Sequence, residues 1–139
     1  MSRMQLALNV DNLDEAVAFY TALFNTGPAK RKPGYANFSV ADPPLKLVLM
    51  ENPGHGGTIN HLGVEVDSSD TVNGEIDRLA AAGLVTAEQI GTTCYYATQD
   101  KVWVDGPSGE RWEVYTVLED SDTFDGSPDQ VEQKDCCTK

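Results

Sequence analysis

An alternation of apolar and polar residues that runs into an acidic helix start occurs twice in this chain, and the two copies superpose Gln5 on His61, 56 positions apart. In the first copy Leu6, Leu8 and Val10 alternate with Gln5, Ala7 and Asn9 before Asp11 and Asp14; in the second Leu62, Val64 and Val66 alternate with His61, Gly63 and Glu65 before Asp67 and Asp70. Strand side chains alternate faces, so the even positions of each copy form an apolar face for a covering helix. Gln5 and His61 then point to the opposite face. A duplicated strand of this kind aims two polar, metal-competent side chains into one concavity, whereas a sheet with one solvated face gives the same alternation with no ligand role.

The repeat extends beyond its strands. Asn12 caps a helix, with Glu15 at the capping-box spacing and Leu13, Ala16, Val17, Tyr20, Leu23 and Phe24 at helical intervals up to the Asn25 to Gly27 stop. Strands are expected at 29–32, 35–40 and 45–50, punctuated by Pro33-Gly34 and Pro43-Pro44. The stretch 51–58 reads as a connector, with His55 exposed in it. The second half repeats the order: Ser68 or Ser69 caps a helix carrying Val72, Ile76, Leu79 and Ala80 that stops at Gly83. Strands are then expected at 85–90, 93–98, 101–104 and 111–117. The fold class that follows is α+β, two tandem βαβββ modules at about 4–50 and 58–117 forming a curved mixed sheet around a metal site. They make one domain over 1–118, and the remainder, 119–139, loses apolar periodicity and reads as a disordered acidic tail.

Composition narrows the partners. The net charge is −12, and seven carboxylates against two lysines follow Leu118, so nucleic acid and anionic membrane surfaces are electrostatically poor partners. No segment approaches the ~20 apolar residues that cross a bilayer, and the start Met-Ser-Arg-Met-Gln lacks a signal peptide's apolar stretch; a cytoplasmic location is expected. Three cysteines argue against a disulfide framework. Cys136 and Cys137 are adjacent in the tail, where a thiol pair either chelates a soft ion such as Cd(II) or trivalent arsenic or has no role.

Glu113 sits between Trp112 and Val114 in the last expected strand, with Arg111 and Tyr115 on its face. A desolvated carboxylate needs a cation, a hydrogen-bonding partner or a metal. Arg111 and Lys101 are available as cations, but with Gln5 and His61 a metal is the more economical partner. The matching strand of the first half, 45–50, supplies no fourth ligand. Three protein ligands with open positions describe a catalytic site rather than a closed structural one, and amide, imidazole and carboxylate make a variant of the two-histidine, one-carboxylate arrangement of non-haem Fe(II) oxygenases.

The duplicated modules, Gln5 and His61, and Asp105-Gly106-Pro107-Ser108-Gly109 followed by Trp112-Glu113 resemble the vicinal oxygen chelate superfamily, which includes glyoxalase I and the extradiol dioxygenases, over roughly residues 4–117. The stretch from Cys94 through Tyr95 and Tyr96 to Val104, with Leu6-Ala7-Leu8-Asn9-Val10 and Ala16-Val17-Ala18-Phe19-Tyr20, is similar to one branch: Fe(II)-dependent carbon-arsenic lyases and the related cadmium-induced proteins. The resemblance implies a metal on Gln5, His61 and Glu113, namely Fe(II), with Ni, Mn, Zn or Co as other occupants. It also implies O2 as co-substrate, and a trivalent organoarsenical held near Cys94, Tyr95, Tyr96 and Lys101. Inorganic As(III) and an oxidised organic fragment would be the products. Where members of the branch show two adjacent cysteines, this chain has Cys94 and Tyr95, and one thiolate does not chelate As(III). Two further readings follow: a soft-metal binding protein without turnover, using Cys94, Cys136 and Cys137, and a glyoxalase or thiol-transferase metalloenzyme. A homodimer fits the superfamily, in which modules pair within a chain or with a twofold mate.

Overall fold

The computed structural model describes residues 2–94 and 96–120, and its chain divides into two compact units, Arg3–Gly63 and a second that starts at Val64. Tyr95 and the stretch 121–139, with Cys136 and Cys137, lie outside the described residues.

The first unit runs β1 (Arg3–Val10), α1 (Leu13–Phe24), β2 (Lys30–Lys32), β3 (Tyr35–Val40) and β4 (Leu45–Glu51), and β5 (Ile59–Glu65) leads out of it. Its strands lie in the order β2-β3-β4-β1-β5. β1 and β4 are parallel, with Gln5 beside Lys46, while β3 is antiparallel to β2 and β4. Helix α1 begins where its sequence signal lies: the Asn12 side chain accepts the Glu15 backbone N–H at 2.9 Å, replacing a partner the first turn lacks. It ends at Asn25 in the left-handed region (φ 54°), a conformation asparagine tolerates. The even residues Leu6, Leu8 and Val10 pack on Leu13, Val17, Phe38, Leu47 and Leu49, as the alternation requires.

The connector 52–58 is fastened to β1. Asn52 N–H donates to the Val10 carbonyl, Gly57 N–H to that of Asn9, and the Asp11 carboxylate accepts the N–H groups of Gly54 and Gly56 at 2.8 and 3.1 Å. A Cβ on Gly56 would come 2.5 Å from Asp11 Oδ2, so a larger residue there would push the carboxylate off these two N–H groups. His55 is exposed.

The second unit contains α2 (Ser69–Ala81), β6 (Val85–Cys94), β7 (Ala97–Asp105) and β8 (Arg111–Asp120), with the strands in an antiparallel β6-β7-β8 meander under the helix. Ser68 is the cap, accepting the Thr71 N–H at 3.2 Å, and α2 buries Val72 and Leu79. Three strands replace the four expected after α2. Gly91 (φ 63°) forms a bulge within β6 instead of a turn, and its N–H donates to Asp100 Oδ1 at 2.8 Å. Gln99 and Asp100, expected as a break, stay in β7 across a register shift. The true turn follows Cys94, whose strand partner is Ala97. β8 also runs past Val117: Glu119 and Asp120, assigned from sequence to the tail, pair with Thr98 and Ala97.

Candidate metal centre

Gln5 and His61 meet inside the first unit. β1 and β5 carry them to a side-chain separation of 3.3 Å, Gln5 Nε2 to His61 Nε2, with residue exposures of 4% and 1%. On the other side of the ring, His61 Nδ1 stands 2.9 Å from Asn60 Oδ1. With an amide oxygen at that position the proton would sit on Nδ1 and the Nε2 lone pair would face Gln5. This is the tautomer a metal requires, and a histidine ligand commonly gives its other N–H to such an oxygen. Two donor atoms in cis positions on one ion, at bonds of about 2.1 Å, lie about 3 Å apart. The observed 3.3 Å is the hydrogen bond from the Gln5 NH2 to the ring, and to hold a metal at that spacing the amide would present Oε1 in place of Nε2.

Glu113 and Lys101 meet inside the second unit. β7 and β8 place Lys101 Nζ 2.8 Å from Glu113 Oε1, with side-chain exposures of 0% and 2%. The lysine is the cation that the desolvated carboxylate demanded. Its ammonium also lies 5.3 Å from the centroid of the Trp103 ring and 6.0 Å from that of Tyr115. The Arg111 guanidinium stacks on the same tryptophan at 4.1 Å. The two aromatic residues are anchored by their polar ends, Trp103 Nε1–H to Gln89 Oε1 at 2.9 Å and Tyr115 O–H to Glu65 Oε1 at 3.1 Å.

Of the residues expected to meet substrate, Cys94 ends β6, Lys101 is buried in β7, and Tyr96 occupies the hairpin turn at φ 64°, half-buried. Among the described residues no group of three or more His, Cys, Asp and Glu side chains gathers to hold a metal. The ligand set expected from sequence has only two such residues, His61 and Glu113, with an amide as its third member.

The residues missed in the sequence are amides. Asn60 donates from Nδ2 to Asn9 Oδ1 at 3.1 Å, Asn52 Nδ2 donates to the same oxygen at 3.3 Å, and Asn9 Nδ2 donates to Thr58 Oγ1 at 2.9 Å. Asn9 is a buried amide on the same strand face as Gln5, four residues on. That spacing was the available signal.

The sequence profile described as Glyoxalase/Bleomycin resistance protein/Dioxygenase superfamily matches residues 4–114. The chain is 68% identical over 142 residues to the Cadmium-induced protein CadI of Mycobacterium tuberculosis, covering 99% of this chain and 93% of that protein. To the Trivalent organoarsenical cleaving enzyme of Thermomonospora curvata it is 54% identical over 139 residues, covering 99% and 89%. In fold it is similar to the Mn(II)-bound glyoxalase from Novosphingobium aromaticivorans, at a TM-score of 0.64 and 18% identity over 92% of this chain and 44% of that one. No helix among the described residues is long and apolar enough to cross a membrane.

Proposed function

The chain belongs to the glyoxalase/bleomycin resistance protein/dioxygenase superfamily, and from that premise we propose that it is an Fe(II)-dependent dioxygenase that cleaves the carbon-arsenic bond of trivalent organoarsenicals. The ligands in this reading are Gln5 Oε1, His61 Nε2 and a Glu113 carboxylate oxygen. The observation that carries it is the buried Gln5–His61 contact at 3.3 Å, with Nδ1 of the ring committed to Asn60. The 54% identity to the organoarsenical cleaving enzyme supports the choice of substrate.

When bound, the metal would supply O2 activation beside a soft, thiophilic arsenic centre. The protein's own residues do the rest. Gln5 and His61 offer two donors from the neighbouring strands β1 and β5, and Glu113 contributes negative charge that Lys101 balances. Cys94 contributes a thiolate for arsenic, with Tyr95, Tyr96 and Lys101 lining the substrate. Inorganic As(III) and an oxidised organic fragment leave. The reading places the enzyme in the cytoplasm, without nucleic acid or membrane partners, and allows a homodimer.

The test is release of inorganic arsenic from methylarsonous acid by the Fe(II)-loaded protein. Release in air and none under anaerobic conditions is expected; equal release without O2 would sink the dioxygenase mechanism. Metal content of His61→Ala checks the centre, and a value equal to wild type would remove His61 from it. The second reading, soft-metal binding without turnover, is favoured by Tyr95 in place of a second cysteine and by the similarity to CadI. It predicts Cd(II) or As(III) binding that survives Glu113→Ala and is lost when Cys94, Cys136 and Cys137 are replaced.

A further inference from the structure

We propose that Thr58, Asn9 and Asn60 form a one-way hydrogen-bond relay that fixes His61 as its Nδ1–H tautomer, which makes Asn60 a positioning residue for the imidazole. The direction is set at the far end. Thr58 Oγ1 lies 2.6 Å from the backbone carbonyl of His55. Two oxygens that close require a proton between them, and a carbonyl has none to give, so the hydroxyl donates there. With its proton committed, Thr58 Oγ1 accepts from the Asn9 side chain at 2.9 Å, and the group of Asn9 facing it is therefore the NH2.

The same logic passes inward. If Nδ2 of Asn9 faces Thr58, its Oδ1 faces the interior, where it accepts from Asn52 and Asn60 at 3.3 and 3.1 Å. Two contacts at that atom suit an oxygen accepting twice as well as an NH2 donating twice, so the direction comes from the Thr58 end. Asn60, having turned its NH2 to Asn9, turns its Oδ1 to His61 Nδ1 at 2.9 Å. The ring must donate, so Nδ1 is protonated and Nε2 holds the lone pair that accepts from Gln5. Amide orientations and histidine tautomers are ordinarily open to exchange of N for O. Here a single hydroxyl at the connector removes that freedom across three side chains. The connector is itself held, since Thr58 N–H donates to His55 and Asn9 N–H to Thr58.

The tautomer follows from hydrogen bonding alone; its value for metal binding rests on the ligand role of His61 proposed above. The experiment separates the two. The full chain, ¹⁵N-labelled and metal-free, is recorded by long-range ¹H–¹⁵N correlation at a pH where neutral imidazole dominates, with exposed His55, the one other histidine, as internal reference. His61 should show a protonated Nδ1 and an unprotonated Nε2; the reverse pattern in the wild type overturns the relay. Asn60→Asp and Thr58→Ser keep the required acceptor and hydroxyl and should keep the pattern. Asn60→Leu and Thr58→Val should give mixed tautomers, and an unchanged pattern in both also overturns the relay. Titration with Mn(II) is then expected to show affinity about 10- to 100-fold weaker in Asn60→Leu and close to wild type in Asn60→Asp. A wild-type Nδ1–H signal together with Mn(II) binding unaffected by His61→Ala would uphold the relay and refute the metal reading.

Discussion

The two units share a helix followed by three strands and finish their buried polar positions in opposite ways. In the first, Gln5, His61, Asn60 and Asn9 form a neutral network in which direction matters and charge does not. In the second, Lys101 and Glu113 form a charged pair inside a frame of Trp103, Tyr115 and Arg111. Neutral amides lose little when desolvated as long as each finds a partner, and they set the orientation of what they touch. A buried ion pair is costly to build and costlier to halve. One helix-and-strands succession thus carries two kinds of buried polar group, a directional amide network in one unit and a balanced ion pair in the other.

The largest effect should come from halving the charged pair. Lys101→Met leaves the Glu113 carboxylate without its ammonium at a side-chain exposure of 2%, and a loss of about 3–5 kcal/mol in urea unfolding is expected. Adding Glu113→Gln should recover much of that loss, and a double variant as unstable as the single one would show that packing, not charge, sets the cost. In the first unit Gln5→Met removes a neutral donor, and the metal-free protein should lose only about 1 kcal/mol. Equal losses in the two experiments would erase the contrast between the units.

The helix caps offer a finer test, because both units use the same device. Asn12→Ala and Ser68→Ala should each cost about 1 kcal/mol, with the shorter Asn12 contact (2.9 against 3.2 Å) the more costly to remove. The smallest effect belongs to Glu75 and Arg78 on α2. The hydrogen bond from the Arg78 guanidinium, aided by its charge, lowers the Glu75 carboxyl below its ordinary 4.5, while its modest burial opposes the shift. A lowered folded-state pKa stabilises above the unfolded value and is lost as pH falls through the folded one. Arg78→Gln should therefore produce a small loss visible at neutral pH and low salt that vanishes below the carboxylate range. A difference that persists in acid would assign the effect to something other than this pair.

The first unit could be read almost to the residue because its punctuation is chemical: an asparagine at each end of α1, and proline or glycine between strands. The second could not be divided correctly after α2, because its glycine is in the wrong place for a turn. Gly91 makes a bulge tied to Asp100, and the hairpin turns instead at Tyr96, a residue type with no turn preference. Gln5, His61 and Glu113 stood out through alternation and through the cost of burying a charge. The ion pair with Lys101 was one of the outcomes that cost allowed, and finding which cation stands beside the carboxylate required coordinates. Asn9 could have been found by its place on the face of Gln5, but its relay with Asn60 and Thr58 depends on distances between residues up to 51 positions apart, which no local pattern encodes.

Tyr96 turns the β6–β7 hairpin at φ 64°, where an L side chain other than glycine, asparagine or aspartate is disfavoured by roughly 1–2 kcal/mol. Glycine adopts that conformation without the penalty, so Tyr96→Gly should stabilise the hairpin, and the phenol that holds the tip, a few residues from Cys94 and Lys101 in sequence, does so against the preference of its own backbone.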